Sequence, residues 1–567
     1  MVTLLLFFLA IVAVQFFLPK PKPQPEPEKT PTPAQMQTAA PTPPGPSTAT
    51  PAAKPTPFTQ APVKQAAAES ETILENDYYR VVFTNRGGVA KSWVLKKFKD
   101  SNGKPLDLVN AGAVSELGYP LSFFTYDKDL QKKLNEAMYV ASGIESQPSV
   151  TFEFSDGETI ARKTFHVEPQ YVLGIETEVR HKGQTVQALT QWPAGLGDLS
   201  NAGQYANAKI DWMRNSAIEH KGAVSGNFLT GKKYISGGET FVGPFEWAAT
   251  ADQYFAAAFL PESPKDTVVV TLNNLLEVPK DSSKPEGDKT KVNVLGVAVG
   301  SAKGATRQRI FAGPKTMDVL EATHAQAGGP DLRGMTDFGM FSFIAKPLFL
   351  WLRWTYEHMI PNWGWAIAFL TLVITVVLLP LRISSMKSSL KMQKIQPQMK
   401  ALQEKYKRYS LTDPRRAEMQ KEMSELYKRE GVNPVGGCFP MLLQMPFLIA
   451  FYSMLGNAIE LRQAHWLWIK DLSAPDPLHI LPFIIVVAMF LSQKSMPQGG
   501  MDPAQQRMMN IMGPVMIGIM SWGFAAGLCV YWAISNILMY VQQIFINRSE
   551  LGRQVRKSVE RRASRKK

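Results

Sequence analysis

The side chains here that could do chemistry are polar groups set inside otherwise apolar stretches. Thr371 and Thr375 stand four residues apart in the run WGWAIAFLTLVITVVLLPL (363–381), hence on one helical face. Arg382 follows seven residues after Thr375, on roughly the same face two turns further on. Gln444 sits in a later apolar run, with Tyr452, Ser453 and Asn457 beyond it. A third run carries two neighbouring stripes, Tyr531, Ser535 and Gln542 beside Trp532, Asn536 and Gln543. Such groups either hydrogen-bond from helix to helix or line a wet groove, and both readings stay open at this point.

Nothing arranged for covalent or metal catalysis accompanies them. There is no Walker A loop, HExxH or GxSxG sequence, and no pair of intramembrane aspartates. His166, His181 and His220 could imitate a sugar-epimerase site, but scattered histidines are far more often surface or core groups. The two cysteines, Cys438 and Cys529, both fall in apolar segments, so no disulfide framework or zinc site can be built from them. The expectation is a protein that is not an enzyme and needs no cofactor or metal.

The elements that must position these groups are membrane helices. The run at 363–381 is long enough, at about 1.5 Å per residue, to cross the roughly 30 Å hydrocarbon core. Further apolar segments lie at 435–457, 478–491, 508–524 and 528–546, and an N-terminal one at 2–18 has about the minimum length for a span and reads as a retained anchor. The chain's net charge of +14 is unevenly placed. Residues 382–430 carry 13 basic and 6 acidic groups, and residues 548–567 carry 9 and 2, so these two patches account for the whole excess. The positive-inside rule puts both in the cytoplasm, which with six spans also puts both termini there. The high pI thus reports juxtamembrane patches and not a nucleic-acid surface.

Pattern divides the rest. Residues 1–18 form the anchor, and 19–69 a Pro-, Thr- and Ala-rich tether that cannot bury a core. Residues 70–325 alternate apolar and polar positions between Gly, Asn, Asp and Pro, as in SVTFEFSD and KVNVLGVAVGS, which predicts an antiparallel β-sandwich outside the membrane. Residues 338–360 mix Trp351 and Trp354 with Lys346, Arg353 and Glu357 and suit an amphipathic helix lying in the interface. The core spans 361–547, and 548–567 is a basic tail.

Inside the core, residues 385–430 read as a helical hairpin. Met392, Ile395, Met399, Leu402, Tyr406 and Tyr409 make one apolar stripe, and Met419, Met423 and Leu426 a second. Asp413 and Pro414 can start the second arm, Gly431 can end it, and Pro397 should kink the first arm or mark a helix start. Its exposed bases include Lys394, Lys405, Arg415 and Arg416. Methionine is concentrated too, 17 of 25 lying between Met386 and Met539. That is either core filling or an adaptable surface for unrelated apolar segments.

The motifs NPVGGCFPMLLQMPFLIAFYSML (433–455), ELRQAHWLWIKDLSAPDPLHILP (460–482), DPAQQRMMNIMGPV (502–515) and GLCVYWAISNILMYVQQ (527–543) resemble the YidC/Oxa/Alb family of membrane-protein insertases. FAGPKTMDVL (311–320) and FIAKPLF (343–349) look like the matching pieces of its Gram-negative form. The resemblance covers essentially the whole chain. It implies a polytopic inner-membrane insertase and chaperone with six spans, a five-helix core, a periplasmic β-supersandwich, a cytoplasmic helical hairpin and a hydrophilic groove. It also implies work alone, as a monomeric core, or beside the SecYEG/SecDF translocon, with nascent membrane proteins as substrates, the hairpin and tail meeting ribosome or targeting factors, and lipids around the core. The groove would be lined by Thr371, Thr375, Arg382, Gln444, Met445, Tyr531, Trp532 and Ser535, with substrate helices sliding along Phe447, Met512 and Met516. The family's groove arginine belongs five residues before the Pro-Leu that ends the second span; counting back from Pro380 gives Thr375, which leaves Arg382 as the cation on that face. The alternative is a transporter or channel with a periplasmic binding domain, which calls for mid-membrane ionisable residues or broken inverted repeats, and neither is visible. A carbohydrate-active enzyme anchored by its first helix would leave five further spans without a role.

Overall fold

The computed structural model describes residues 62–100, 103–143, 148–197, 202–222, 238–280, 287–336, 338–406, 413–431, 439–495 and 503–550, with 199, 224–225, 233–234, 409 and 553. The N-terminal anchor, most of the tether and most of the basic tail lie outside these residues.

Residues 62–314 form antiparallel sheets. The largest sheet runs, in spatial order, Ala217–Gly222, Lys209–Arg214, Trp247–Ala251, Phe255–Pro261, Thr306–Pro314, Val172–His181, Thr159–Val167, Ser149–Ser155 and Val140–Gly143, with Gln184–Thr185 paired beside Val172–His181. A five-stranded sheet orders Thr240–Val242, Thr267–Pro279, Lys289–Ser301, Leu189–Trp192 and Ser122–Phe124, and a four-stranded one is built from Glu71–Glu75, Tyr79–Thr84, Val89–Lys99 and Pro105–Asp107. Local chemistry sets the hairpins: at the turn joining Ser149–Ser155 to Thr159–Val167, the Asp156 carboxylate accepts from the Thr159 amide at 2.7 Å and Gly157 takes φ +94.

The sheets share one core. Trp93 of the four-stranded sheet lies 5.7 Å from Trp192 of the five-stranded sheet, and Phe83 stacks at 4.6 Å on Phe165 of the large one. Within it the fully buried Lys163 ammonium donates to the carbonyls of Gly87 (2.8 Å), Gly88 (3.2 Å) and Leu121 (2.8 Å), which satisfies a charge that burial would otherwise make costly. Pairing begins ahead of residue 70, since Lys64 bonds Ser155 in both directions at 2.8 and 2.9 Å.

Helices of nine or more residues are numbered in chain order. α1 (Lys128–Glu136) belongs to the β-rich half, and α2 (Met317–Ala327) leads out of it. α3 (Ser342–His358) buries Ala345, Leu348, Phe349 and Leu352 against the bundle and leaves Phe343, Leu350 and Trp354 exposed on its other side. α4 (Trp363–Val377) starts where the Asn362 side chain accepts from the Trp365 amide at 3.2 Å. It stops at Leu378, and α5 (Leu379–Tyr406) has Pro380 as its second residue, whose missing N–H interrupts the ladder.

α5 pairs antiparallel with α6 (Arg415–Arg429): Lys405 meets Glu422 at 2.8 Å and Arg429 meets Gln398 at 3.3 Å, around Ile395, Met399 and Leu426. Pro397 stays inside α5, and Gly431 takes φ +59 just past α6 as expected of a helix end. The start of α6 differs from the sequence expectation by one position. Pro414 is the cap residue, and the Asp413 carboxylate before it accepts from the Arg415 amide at 2.9 Å.

α7 (Phe439–Asn457), α8 (Ile480–Ser495), α9 (Pro503–Ser521) and α10 (Ala526–Arg548) complete the bundle. Among the described residues only α10 is long and apolar enough by itself to cross a membrane, while Trp363–Val377, Met445–Asn457, Ile480–Ser495 and Asn510–Ser521 are shorter apolar helices. Between α7 and α8 the buried Asp476 carboxylate accepts from the Trp468 indole (3.0 Å) and the amides of Leu478 (3.1 Å) and Leu481 (2.8 Å), tying the loop to the start of α8.

Candidate functional site

The polar groups singled out by spacing are mostly inside the bundle. Thr371 and Thr375 on α4 are buried, and the Thr371 hydroxyl donates to the Ile367 carbonyl at 2.7 Å, one turn back in its own helix. Arg382, on the first turn of α5, is only 9 % exposed, and its guanidinium lies within electrostatic reach of the Tyr531 phenol on α10. A cation so covered is weakly screened and projects its field into the bundle.

On α10, Tyr531 and Ser535 are buried and Trp532 is half-buried, its ring 5.8 Å from Phe524. Tyr531 stacks on Phe451 of α7 at 4.1 Å. Four helices thus contribute: α4 the threonines, α5 the arginine, α7 the stacking partner, and α10 the phenol and the serine.

The apolar residues expected to guide a substrate separate. Met512 and Met516 on α9 are 52 % and 45 % exposed, whereas Phe447 is half-buried against the bundle core and Met445 is half-buried. The side chains of Gln444 and Arg416 lie outside the described residues. On the hairpin, Lys394 is exposed, Met399 is buried between the arms, Tyr406 donates to Glu422 at 2.9 Å, and Arg415 pairs with Asp413 at 2.9 Å. The Lys405 ammonium and Tyr406 phenol hold the Glu422 carboxyl below its usual range.

Sequence spacing missed a polar ladder between α8 and α10. The Ser492 hydroxyl donates to the Asn536 carbonyl at 3.2 Å, the Asn547 amide to the Ser495 carbonyl at 2.9 Å, and the fully buried Gln543 amide to Asn547 at 2.8 Å. The signal was present as serines at the polar end of the fourth apolar run, without a stripe long enough to stand out. Among the described residues no cluster of three His, Cys, Asp or Glu could hold a metal ion.

Two family models tile the chain: "YidC periplasmic domain" matches residues 72–351 and "60Kd inner membrane protein" matches residues 354–553. A protein of Syntrophus aciditrophicus named membrane protein insertase YidC is 33 % identical over 513 residues, 88 % of each chain. One of the same name from Geobacter sulfurreducens is 34 % identical over 486 residues, covering 83 % of this chain and 85 % of its own. A solved active YidC insertase, with its first transmembrane domain resolved, covers 86 % of this chain and 95 % of its own at 18 % identity and a TM-score of 0.35. A β-rich periplasmic domain joined to a helical inner-membrane region is the class of protein these matches define. The chain belongs to the YidC family of membrane protein insertases. The transporter or channel alternative finds no support among them.

Proposed function

We propose that this chain inserts and folds membrane proteins in the inner membrane through a half-hydrated groove whose charge is supplied by Arg382. The reading rests on one observation above the others: Thr371 and Thr375 of α4 and Arg382 on the first turn of α5 are all buried, with Tyr531 of α10 within electrostatic reach of the arginine. A polar segment entering lipid directly loses several kcal/mol of hydration. Hydroxyls and a weakly screened cation partway across lower that barrier for a segment carrying acidic residues. The substrate's apolar helix follows Met445, Phe447, Met512 and Met516 into lipid, driven by apolar burial and the membrane potential, with no nucleotide spent.

The topology that fits has six spans, residues 1–18 and five helices of the core, with both termini and the α5–α6 hairpin cytoplasmic. Residues 70–325 are periplasmic, and α3 lies in the interface. The short apolar helices accord with a locally thinned bilayer. Nascent membrane proteins are the substrates. The SecYEG/SecDF translocon, ribosome or targeting factors at the hairpin and basic tail, and surrounding lipids are the partners of a core that acts as a monomer.

In a strain depleted of its own insertase, Arg382→Ala should impair insertion of substrates with acidic translocated tails, Arg382→Lys should restore much of it, and Arg382→Glu should abolish it. Unchanged insertion by Arg382→Ala overturns the assignment of the charge. Photo-crosslinkers at Met445 and Trp532 should capture a stalled nascent chain, and silence at both would sink the groove itself.

A further inference from the structure

A 3-10 turn after α7, Ile459–Leu461, lies at the junction between the β-rich half and the helical bundle. Ile459 is buried in the core of the sheets, whereas Leu461, two residues on, is buried in the core of the bundle. The turn is therefore a rivet through both bodies. Glu460 stands between these two anchors, its charge felt by Asp318 of α2 and Arg353 of α3. Arg353 is already engaged: it bonds Asp318 and pairs with Glu357 at 2.6 Å. One cation thus serves three carboxylates on three elements, and Glu460 is the carboxylate without a hydrogen-bonded share of it.

Around this cluster the two halves touch through groups other than carboxylates. Gln463 donates to the Asp100 carbonyl at 2.9 Å, Gln253 donates to the Gly456 carbonyl, and the Arg462 guanidinium lies 5.3 Å from the centre of the Phe255 ring. Apolar burial, neutral hydrogen bonds and the cation–π contact of Arg462 hold the domains together, and Glu460 is a carboxylate whose ionisation works against that hold.

We propose that Glu460 is a proton-sensitive latch: neutral, it lets the Ile459–Leu461 rivet seat the β domain on the bundle, and ionised near Asp318 it loosens that seat. Burial pushes the Glu460 carboxyl up to about 7, with the Asp318 carboxylate adding to the shift and the Arg353 guanidinium opposing it. Seated, the carboxyl keeps its proton until the pH nears 7, and released into water it ionises in the ordinary carboxylate range. Seating therefore takes up a proton, is favoured as pH falls, and weakens as pH rises toward and through 7. The groove lies beyond α7, so a β domain that tilts on this rivet shifts the periplasmic end of one wall.

The test uses the full chain in lipid nanodiscs, with Cys438 and Cys529 replaced by serine and spin labels at Lys182 and Leu478. The distance distribution should be narrow at pH 5.5 and broad at pH 8.5, the seated fraction falling relative to the released by roughly tenfold or more. Glu460→Gln should stay narrow at both values. The same elements also carry His324 on α2, His358 on α3 and His465 in the loop, and Glu460→Gln separates their effect from that of the latch. A pH-independent distribution in the parent chain, or the same pH dependence in Glu460→Gln, overturns the proposal. Hydrogen exchange of residues 457–463 in the unsubstituted chain, corrected for the intrinsic effect of pH, reads the same opening without any variant. Protection there that is unchanged between the two pH values also overturns it.

Discussion

Phe451 on α7 and Tyr531 on α10 stack face to face, their ring centroids 4.1 Å apart and their planes within 10° of one another. The stack joins two helices far apart in sequence, and Tyr531 also lies within electrostatic reach of Arg382. One residue therefore both packs the bundle and faces its charged group. Tyr531→Phe keeps the stack and should leave melting of the purified protein within about 1 kcal/mol of the parent, while Tyr531→Ala, which empties the site, should cost about 3 kcal/mol. If the proposed groove is correct, Tyr531→Phe still weakens insertion, because the hydroxyl beside Arg382 is gone. Melting that responds equally to both changes would show that the hydroxyl, and not the ring, holds the helices.

Asp476 gathers three donors from the loop and the start of α8. Asp476→Ala leaves those donors without their acceptor, which should cost about 1–3 kcal/mol. The local reading is faster amide exchange at Leu478 and Leu481, with the sheets unaffected. Uniform acceleration across the chain would mean that the loop is integral to the whole bundle.

The α5–α6 hairpin has a small core of its own, Ile395, Met399 and Leu426. Ile395→Ala should cost about 2 kcal/mol of pairing between the arms, the low end for a buried aliphatic because the cluster is small. Double-label distances between the arms should broaden while the bundle's melting stays where it was. A fall in bundle melting would place the hairpin's packing inside the main cooperative unit.

The His166 imidazole lies 3.3 Å from Glu168, and that contact raises its pKa above the ordinary histidine value. The contribution to stability is fully present below the unfolded pKa and is lost as pH rises through the raised folded one. The difference in melting temperature between the parent and His166→Gln should therefore be larger at pH 6 than at pH 8. Equal differences at the two values would remove the ion pair from the account. Gly174, the cross-strand partner of His166, leaves the ring its space: a Cβ there would come 2.0 Å from the imidazole. Gly174→Ala should displace the ring and flatten that pH dependence.

Much of this arrangement was legible in the residues. Period-2 alternation of residue type marked strands such as Ser149–Ser155 and Lys289–Ser301, although in the fold both faces of each are largely covered. The stripe through Ile395 and Met399 marked the hairpin, and Pro380 and Gly431 marked helix ends through backbone chemistry that needs no neighbours. The spacing of Thr371, Thr375 and Arg382 put them on one face, and all three are buried.

The sequence by itself determined which segments are apolar, where charge accumulates, and which backbone positions start or stop an element, since these follow from each residue and its near neighbours. Only the tertiary structure decided that Tyr531 meets Phe451 and faces Arg382, that Ser492, Asn536 and Asn547 form a ladder, and that Glu460 falls between two cores beside Asp318 and Arg353. These are contacts between residues tens to hundreds of positions apart. Local periodicity carries no information about which partner a face will meet, and burial, which sets the strength of such contacts, exists only once the chain has packed.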